Sequence, residues 1–299
     1  MAERPRYLVV GSDGTIGHAL LQHLPPDQVL GTTRRVPDPE WQISLDLTQD
    51  LPNWQIPHGI QVLINCAVIG KLEVCKRNPE ETRRINVDAA VALAEKCHQA
   101  GVFFIHLSTD KVFAGDRPRM PADAPFAPVT EYGRQKADAE RPMLQMLAKG
   151  ASLAIIRLTK VLVPGMALFR DWRDALLRGE VIHPFSDMTL APVRLPDVIE
   201  VVACVARDRH TGIFQMSGER DISYAEAAYY LADQLGVSSE LVQPLNVSQV
   251  GLSIENVPLY TSLDMQILQE RIARILPSTW DAIHWTFQAT HLGVGNDFG

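Results

Sequence analysis

The sequence predicts an α/β protein with a doubly wound parallel sheet and a second, smaller α/β region on its C-terminal side. Short apolar runs alternate with longer helical patterns as far as Leu158, which is typical of this class. The runs are apolar throughout, as expected for strands buried on both faces of a parallel sheet. The chain has 299 residues, 46% of them hydrophobic and 21% charged, which suits a globular protein of about two domains.

The individual elements follow from these runs. The candidate strands are Tyr7–Val10, Val29–Thr32, Gln61–Asn65, Val102–Leu107 and Leu153–Leu158. The candidate helices of the first part are Thr15–Leu24, Pro79–Gln99 and Glu131–Ala148. Beyond Leu158 the rhythm loosens, and prolines punctuate shorter elements.

In this later part we predict a helix over Leu195–Ala206 and a strand over Gly212–Met216. A further helix over Ser223–Leu235 is predicted to open with Ser223 as its N-cap and Glu226 at the capping-box position. The domains are predicted to span 1–163 and 164–299, with parts of 190–217 returning to the first. The segment from His291 to Gly299 is predicted to be a frayed tail.

Composition argues against several classes of function. The net charge is −7 without a dense basic tract, so no nucleic-acid partner is expected. No apolar run approaches the ~18 residues needed to cross a bilayer, and no signal peptide is evident. We therefore expect a cytoplasmic protein. The four cysteines are far apart in the sequence, so neither a disulfide framework nor a metal site is expected.

A GxxGxxG pattern follows the first predicted strand and opens the first predicted helix, at Gly11-Ser12-Asp13-Gly14-Thr15-Ile16-Gly17. Glycines there let the backbone turn tightly and approach a pyrophosphate, which the free N–H groups of a helix N-terminus attract. A plain strand-to-helix turn is the alternative. In this position the pattern predicts a dinucleotide-binding, Rossmann-type sheet.

The residues after the second strand bear on the choice of cofactor. Sites that prefer NAD place Asp or Glu there, whereas a basic residue favours the 2′-phosphate of NADP. Arg34 and Arg35 occupy this place and predict NADP(H), with NAD(H) as the alternative. A pair of solvated loop arginines is the other interpretation. Asp46-Leu47 is predicted to close another short strand, where the Asp46 carboxylate can accept from an adenine amino group.

Tyr132 and Lys136 lie four residues apart in a predicted helix, so their side chains share one face. A free phenol with a pKa of about 10 is a poor acid–base catalyst at neutral pH. A neighbouring ammonium stabilises the phenolate and brings that pKa toward the working range, and it can also hold a ribose. The spacing alone is not decisive, because one such pair can arise by chance.

The strand Val102–Leu107 leads into Ser108-Thr109-Asp110-Lys111-Val112-Phe113. Hydroxyls at the carboxyl end of a strand face the crevice where α/β sheets bind ligands. Thr109 is therefore a candidate to hold a substrate carbonyl oxygen. The alternative is that Ser108 and Thr109 cap the following turn. His106, inside the apolar run, is predicted to be a core residue and not a ligand.

Together these motifs resemble those of the extended short-chain dehydrogenase/reductases (SDRs), and the resemblance covers nearly the whole chain. It rests on the glycine pattern, Asp46-Leu47, Asn65-Cys66-Ala67, Ser108 to Phe113, and Tyr132-Gly-Arg-Gln-Lys136. Within that superfamily, Ser-Thr-Asp-x-Val-Phe resembles the dTDP-4-dehydrorhamnose reductase subfamily. So do Ile156-Arg157-Leu158 and the segment from Gly212 to Gly218.

The resemblance implies roles for individual residues. Thr109, Tyr132 and Lys136 match the catalytic residues, with Tyr132 as proton donor and Lys136 lowering its pKa. Cys66-Ala67-Val68 matches the segment that lies along the cofactor. Sugar-nucleotide dehydratases carry Thr-Asp-Glu, and Lys111 at the Glu position argues against dehydration.

The implied activity is NADP(H)-dependent reduction of a 4-keto sugar nucleotide or a related carbonyl. The sequence leaves the oligomeric state open, with a homodimer as one possibility. Two alternatives stay open. One is an NADP-binding regulatory or scaffold subunit without turnover, since the resemblance extends to the regulatory subunit of methionine adenosyltransferase. The other is an NAD-dependent sugar-nucleotide epimerase.

Overall fold

A seven-stranded sheet is the central element of the computed structural model, which describes residues 6–250, 257–273 and 276–288. The strands are β1 (Tyr7–Val10), β2 (Val29–Thr33), β3 (Gln42–Ser44), β4 (Val62–Asn65), β5 (Phe103–Thr109), β6 (Leu153–Leu158), β7 (Val161–Leu162), β8 (Thr189–Leu190), β9 (Val193–Arg194), β10 (Gly212–Met216) and β11 (Ile222–Ser223).

The α-helices are α1 (Thr15–His23), α2 (Leu72–Arg77), α3 (Pro79–Arg83), α4 (Ala90–Ala100), α5 (Glu131–Ala148), α6 (Ala167–Leu177), α7 (Leu195–Asp208), α8 (Tyr224–Leu235), α9 (Gln266–Ile272) and α10 (Thr279–Gln288). Shorter 3-10 turns cover Asp110–Val112, Ser239–Leu241 and Val247–Val250. A π-helical segment, Arg84–Ala89, joins α3 to α4.

The strand order in the large sheet is β10-β6-β5-β4-β1-β2-β3. The pairings from β3 through β5 are all parallel, with Val10 opposite Asn65 and Asn65 opposite His106. The chain runs outward from β1 to β3 and then returns to β4 on the other side of β1. This reversal creates a crevice at the carboxyl ends of β1 and β4, where such sheets bind ligands.

The predicted fold class, a doubly wound α/β sheet, is confirmed, and most predicted elements agree with the structure to within two residues. The fifth strand continues through Ser108 to Thr109, so both hydroxyls belong to its carboxyl end. The helix predicted over Pro79–Gln99 contains the π-helical segment, which sequence periodicity does not reveal. The predicted capping box of Ser223 and Glu226 is present. The segment from His291 to Gly299 lies outside the described residues.

The chain divides into two compact units. The first comprises 1–113, 126–157 and 199–214, and the second comprises 114–125, 158–198 and 215–299. In the first unit, apolar residues of the central strands pack against α4 and α5. In the second, side chains from α6, α8 and α10 form a separate core around Phe169 and Leu231. That the cofactor-binding domain ends at residue 163 stays a prediction.

Among the helices in the described ranges, none is both long and apolar enough to cross a membrane.

Candidate active site

The loop between β1 and α1 depends on glycine at two of its three glycine positions. Gly11 has φ +80°, and a Cβ there would lie 2.7 Å from the backbone of Ala67. A Cβ on Gly17 would collide with the carbonyl oxygen of Gly11. At Gly14 the nearest atom would be 3.5 Å away, so this position has room. The first and third glycines therefore hold the tight turn, and Gly14 borders open space.

Side chains of the same loop fasten it to the neighbouring strand. The buried Ser12 hydroxyl donates to the carbonyl of Thr32 at 2.9 Å and accepts from Gln42 at 3.3 Å. The Asp13 carboxylate accepts from the Thr33 hydroxyl at 2.7 Å. These bonds fix the backbone of the loop, and Ser12 points into the protein.

Helix α1 begins without a side-chain cap, because its N-cap residue is Gly14. The first N–H groups of a helix, here those of Thr15, Ile16 and Gly17, have no intrahelical acceptor, and this end carries the positive end of the helix dipole. A diphosphate would supply the missing acceptors. This arrangement fits the pyrophosphate of a dinucleotide.

A cavity, here called the β1–β4 cavity, opens at the carboxyl ends of these two strands. Its lining consists of Val10, Gly11, Asp13, Gly14, Thr32, Arg34, Leu45, Leu47, Cys66, Ala67, Val68, Ile69 and Ile85. Eight of the residues predicted to bind a cofactor are therefore brought together here: Gly11, Asp13, Gly14, Arg34, Leu47, Cys66, Ala67 and Val68.

The two predicted 2′-phosphate ligands differ in position. Both Arg34 and Arg35 are exposed, but only Arg34 lines the β1–β4 cavity. The backbone N–H of Arg35 donates to the Thr33 hydroxyl at 3.0 Å. Arg34 is thus the better placed of the two to meet an anionic group in the cavity.

Asp46 lies just after β3, not at its end, and its carboxylate caps its own turn. It accepts from the backbone N–H and the hydroxyl of Thr48 at 2.8 and 2.6 Å. These hydrogen bonds, with a smaller contribution from the charge of Arg34, lower the pKa of Asp46. Leu47, not Asp46, lines the cavity.

The residues after β4 are held by the π-helical segment. Asn86 accepts from the backbone N–H of Ile69 at 2.8 Å and donates to the carbonyl of Ile69 at 3.0 Å. Burial raises the pKa of the Cys66 thiol to about 12, against the opposing charge of Lys136. Cys66 is therefore a protonated thiol at neutral pH, which agrees with a packing role beside the cavity and not a nucleophilic one.

At the end of β5, two adjacent hydroxyls face different surroundings. Ser108 donates to the buried carboxylate of Glu140, which also pairs with the buried Arg157 guanidinium at 2.7 Å. Thr109 accepts from the backbone N–H of Lys111 at 3.2 Å and so caps the following 3-10 turn. Its hydroxyl donates to the Asp110 carboxylate at 3.0 Å and lies close enough to Tyr132 to lower the pKa of that phenol. Thr109 both caps the turn and contacts the tyrosine.

Helix α5 brings Tyr132 to this point. Thr130 caps the helix by accepting from the backbone N–H of Gly133 at 3.0 Å. A Cβ on Gly133 would collide with the carbonyl oxygen of Lys111, so only glycine lets the helix start approach the turn after β5. The half-buried Tyr132 is thereby placed beside Thr109.

Lys136, one turn further along α5, is only 1% exposed. Its ammonium group lies 2.8 Å from His106 Nε2 and donates to the carbonyl of Leu107 at 2.7 Å. Burial lowers the pKa of Lys136 to about 8, although the charges of Glu140 and Cys66 oppose this. His106 is buried, as predicted, but it is also part of the site, a role that the sequence patterns did not predict. The available signal was a pair of polar residues, Asn65 and His106, interrupting neighbouring apolar strands.

The environment of Tyr132 differs from the one expected. The resemblance implied that Lys136 lowers the tyrosine's pKa, but here that pKa is raised. Burial is the largest cause and the charges of Asp110 and Cys75 add to it, while the hydrogen bond with Thr109 opposes them. Lys136 is not among the groups that shift the pKa of Tyr132, and its ammonium is directed at His106 and Leu107.

One group of metal-ligand residue types occurs in the described part of the first unit: Cys204, Asp208 and His210, near the end of α7. The Arg207 guanidinium donates to Asp208 at 2.7 Å and to Cys204 at 3.6 Å. A cation already interacts with two of the three potential ligands, so this group is explained without a metal ion.

Three features define an extended SDR fold. They are the crevice between β1 and β4, the uncapped start of α1, and the group formed by Thr109, Tyr132 and Lys136. The predicted class, an NAD(P)-dependent oxidoreductase of this type, is confirmed. The family model described as RmlD substrate binding domain matches residues 5–290, and the chain belongs to that family.

Solved structures share this fold at low sequence identity. A dTDP-4-dehydrorhamnose reductase from Bacillus anthracis, in complex with NADP, superposes with a TM-score of 0.76. It is 19% identical, and the match covers 95% of this chain and 99% of that one. A UDP-glucose 4-epimerase from Thermotoga maritima, with UDP-glucose, has a TM-score of 0.78 at 18% identity, over 97% of this chain and 100% of that one.

Related sequences include both enzymes and a subunit of an enzyme. A dTDP-4-keto-6-deoxy-D-glucose reductase from Streptomyces niveus is 25% identical over 290 residues, 95% of each chain. The methionine adenosyltransferase 2 subunit beta of Pongo abelii is 25% identical over 260 residues, 82% of this chain and 76% of that one.

Proposed function

We propose that this protein is an NADP(H)-dependent reductase of a carbonyl group on a nucleotide sugar, with Thr109, Tyr132 and Lys136 as its catalytic residues. The observation that carries the proposal is the placement of a buried ammonium, a phenol and a threonine hydroxyl at the carboxyl end of β5. Cys66 links them to the β1–β4 cavity, because it lines the cavity and lies within the electrostatic influence of Lys136.

The cavity residues fit a dinucleotide. The uncapped start of α1 would hold the diphosphate, and Arg34 would meet the 2′-phosphate of NADP(H). Lys136 retains one N–H beyond those directed at His106 and Leu107, and this N–H would serve a ribose hydroxyl. When bound, the cofactor supplies the hydride that reduces the carbonyl carbon.

The protonation states suit reduction. A proton donor must begin in its acid form, and the raised pKa of Tyr132 keeps the phenol protonated at neutral pH. The phenol O–H would donate its proton to the substrate oxygen while the Thr109 hydroxyl bonds the same oxygen. Lys136, with a pKa of about 8, is mostly protonated at neutral pH, so its positive charge would be available when the phenolate forms.

The Asp110–Lys111 pair bears on the reaction type. Their side chains form an ion pair at 2.6 Å. The residue after Asp110 is therefore a cation, Lys111, whereas dehydratases have a second acid at that position. This pairing favours reduction over elimination. Homodimer formation stays a prediction.

The test is NADPH oxidation by purified protein with a panel of 4-keto nucleotide sugars. Tyr132→Phe removes the donated proton, and turnover should fall by about 10²–10⁴-fold. Tyr229→Phe, the same change at a tyrosine that is 41% exposed, is the matched control and should retain full turnover. Undiminished turnover by Tyr132→Phe would contradict the mechanism.

A regulatory subunit without turnover is the second candidate, favoured by the similarity to methionine adenosyltransferase 2 subunit beta. In that case NADPH would bind, but no substrate of the panel would be reduced. An epimerase would retain NAD, which denaturation of the purified protein would release.

A further inference from the structure

The Lys136 ammonium is anchored by two groups of β5. It has three N–H donors, of which one is directed at His106 Nε2 at 2.8 Å and another at the Leu107 carbonyl at 2.7 Å. Both distances are typical of strong, charge-assisted hydrogen bonds. With two donors fixed by the scaffold, the direction of the third is fixed as well.

The tautomer of His106 follows from its two neighbours. A neutral imidazole has one acceptor nitrogen, but Nε2 faces the Lys136 ammonium and Nδ1 lies 3.4 Å from the Asn65 amide nitrogen. The shorter contact involves a charged donor and therefore dominates. His106 accepts at Nε2 and carries its proton on Nδ1, so the 3.4 Å contact between Nδ1 and the Asn65 amide nitrogen is not a hydrogen bond.

His106 does not compete with Lys136 for the charge. It is 1% exposed, and burial together with the neighbouring Lys136 charge lowers its pKa well below the usual range. The other titratable groups that influence Lys136 are Glu140 on α5 and Cys66 after β4. Of these, Glu140 is already bonded by Ser108 and Arg157. His106 is thus a neutral side-chain acceptor for the ammonium.

We propose that His106 is a positioning residue for the reaction: its Nε2 holds the Lys136 ammonium in its charged form and directs the remaining N–H. The catalytic meaning of this role rests on the proposed reductase function. His106 itself would transfer no proton, because it is buried and, among the residues that the structure describes, its second ring nitrogen faces the Asn65 amide.

This role predicts the direction in which the pKa of Lys136 changes when His106 is replaced. Replacing His106 with an apolar side chain removes an acceptor that favours the ammonium, while the burial that disfavours it stays. The pKa of Lys136 should then fall by about one unit or more, as expected for one lost hydrogen bond to a charged group. The alkaline limb of kcat/KM for NADPH should move to lower pH by the same amount.

Three variants separate this role from simple packing. His106→Leu removes the acceptor. His106→Gln can place an amide oxygen near the Nε2 position, whereas the shorter His106→Asn reaches only the Nδ1 position. The readout is the pH titration of the lysine 13Cε resonances of the full chain, with Lys136 assigned by the signal missing in Lys136→Met. This measurement requires no turnover.

We expect the Lys136 titration to move to lower pH in His106→Leu and His106→Asn, and to return toward the wild-type position in His106→Gln. An unchanged titration in His106→Leu, or equal behaviour of the two amide variants, overturns the proposal. If His106→Leu does not fold, the comparison of the two amides decides the matter. Shifted titrations without NADPH oxidation by the wild type would support the positioning role and refute the reductase function.

Discussion

The β1–β4 cavity and the β5 cluster, defined as His106, Thr109, Tyr132 and Lys136, lie in the same unit but are built differently. The cavity is lined mainly by small or apolar residues of strand ends and loops, with Arg34 as its cation. The β5 cluster is formed by polar side chains that hydrogen-bond to one another or to the strand backbone. The shape of the cavity therefore depends on a few glycines, whereas the geometry of the β5 cluster depends on each of its side chains.

This difference leads us to expect that substitutions separate the two regions kinetically. Changes in the cavity should alter cofactor affinity. Changes in the β5 cluster should alter turnover, because its groups act on the charge that develops during the reaction.

The largest effect is expected at the end of β5. Thr109→Val keeps the shape of the side chain but removes its hydroxyl, so kcat should fall by about 10²–10³-fold with NADPH affinity retained. Ser108→Ala is the matched control. It removes a donor to Glu140 and should lower the free energy of unfolding by about 1–3 kcal/mol, while turnover per folded molecule is retained. Equal losses of kcat in both variants would contradict a catalytic role for Thr109 beside a purely structural role for Ser108.

This contrast also shows what the sequence could predict. The motif identified both Ser108 and Thr109, but their surroundings depend on Glu140 and Arg157, which lie on other elements. Sequence patterning correctly predicted the sheet and the bounds of α5, since these follow from local periodicity. It could not predict the raised pKa of Tyr132, because burial and the position of Asp110 arise only on folding.

The π-helical segment is another feature that local patterns could not reveal. It contains Asn86, whose side chain bonds to both backbone groups of Ile69, a residue distant in sequence. The glycine pattern was recognised from the sequence. That Gly11 and Gly17 lack space for a Cβ, whereas Gly14 has it, could be seen only from the neighbouring atoms.

The second prediction concerns the cation of the cavity. Arg34→Ala should raise KM for NADPH by about 10–100-fold, the value of a charge-assisted contact to phosphate, and should change KM for NADH little. Arg35→Ala, one residue away and outside the cavity lining, should change KM for NADPH less than about threefold. Equal effects of the two variants would show that the 2′-phosphate lies between them or elsewhere.

The third prediction tests whether the first and third glycines of the pattern determine the backbone turn that borders the cavity. Gly17→Ala places a methyl group against the Gly11 carbonyl, so the free energy of unfolding should fall by about 1–3 kcal/mol. Gly14→Ala meets its nearest atom at 3.5 Å, so it should cost only the exchange of a favourable N-cap residue for Ala, about 1 kcal/mol or less. Denaturant unfolding measures both, and a larger loss at Gly14 would contradict the assignment of the turn to the first and third glycines.

The smallest effect is expected where the β5 cluster depends on a helix cap. Thr130→Ala leaves the backbone N–H of Gly133 without its side-chain acceptor and should lower the free energy of unfolding by about 1 kcal/mol. Thr130→Ser keeps the acceptor and should remain near the wild-type value. Because the cap fixes the start of α5, Thr130→Ala should also reduce kcat more than it changes the KM for NADPH. If stability and kcat are both unchanged, the close packing of Gly133 against Lys111 is enough to place Tyr132, and the cap is dispensable.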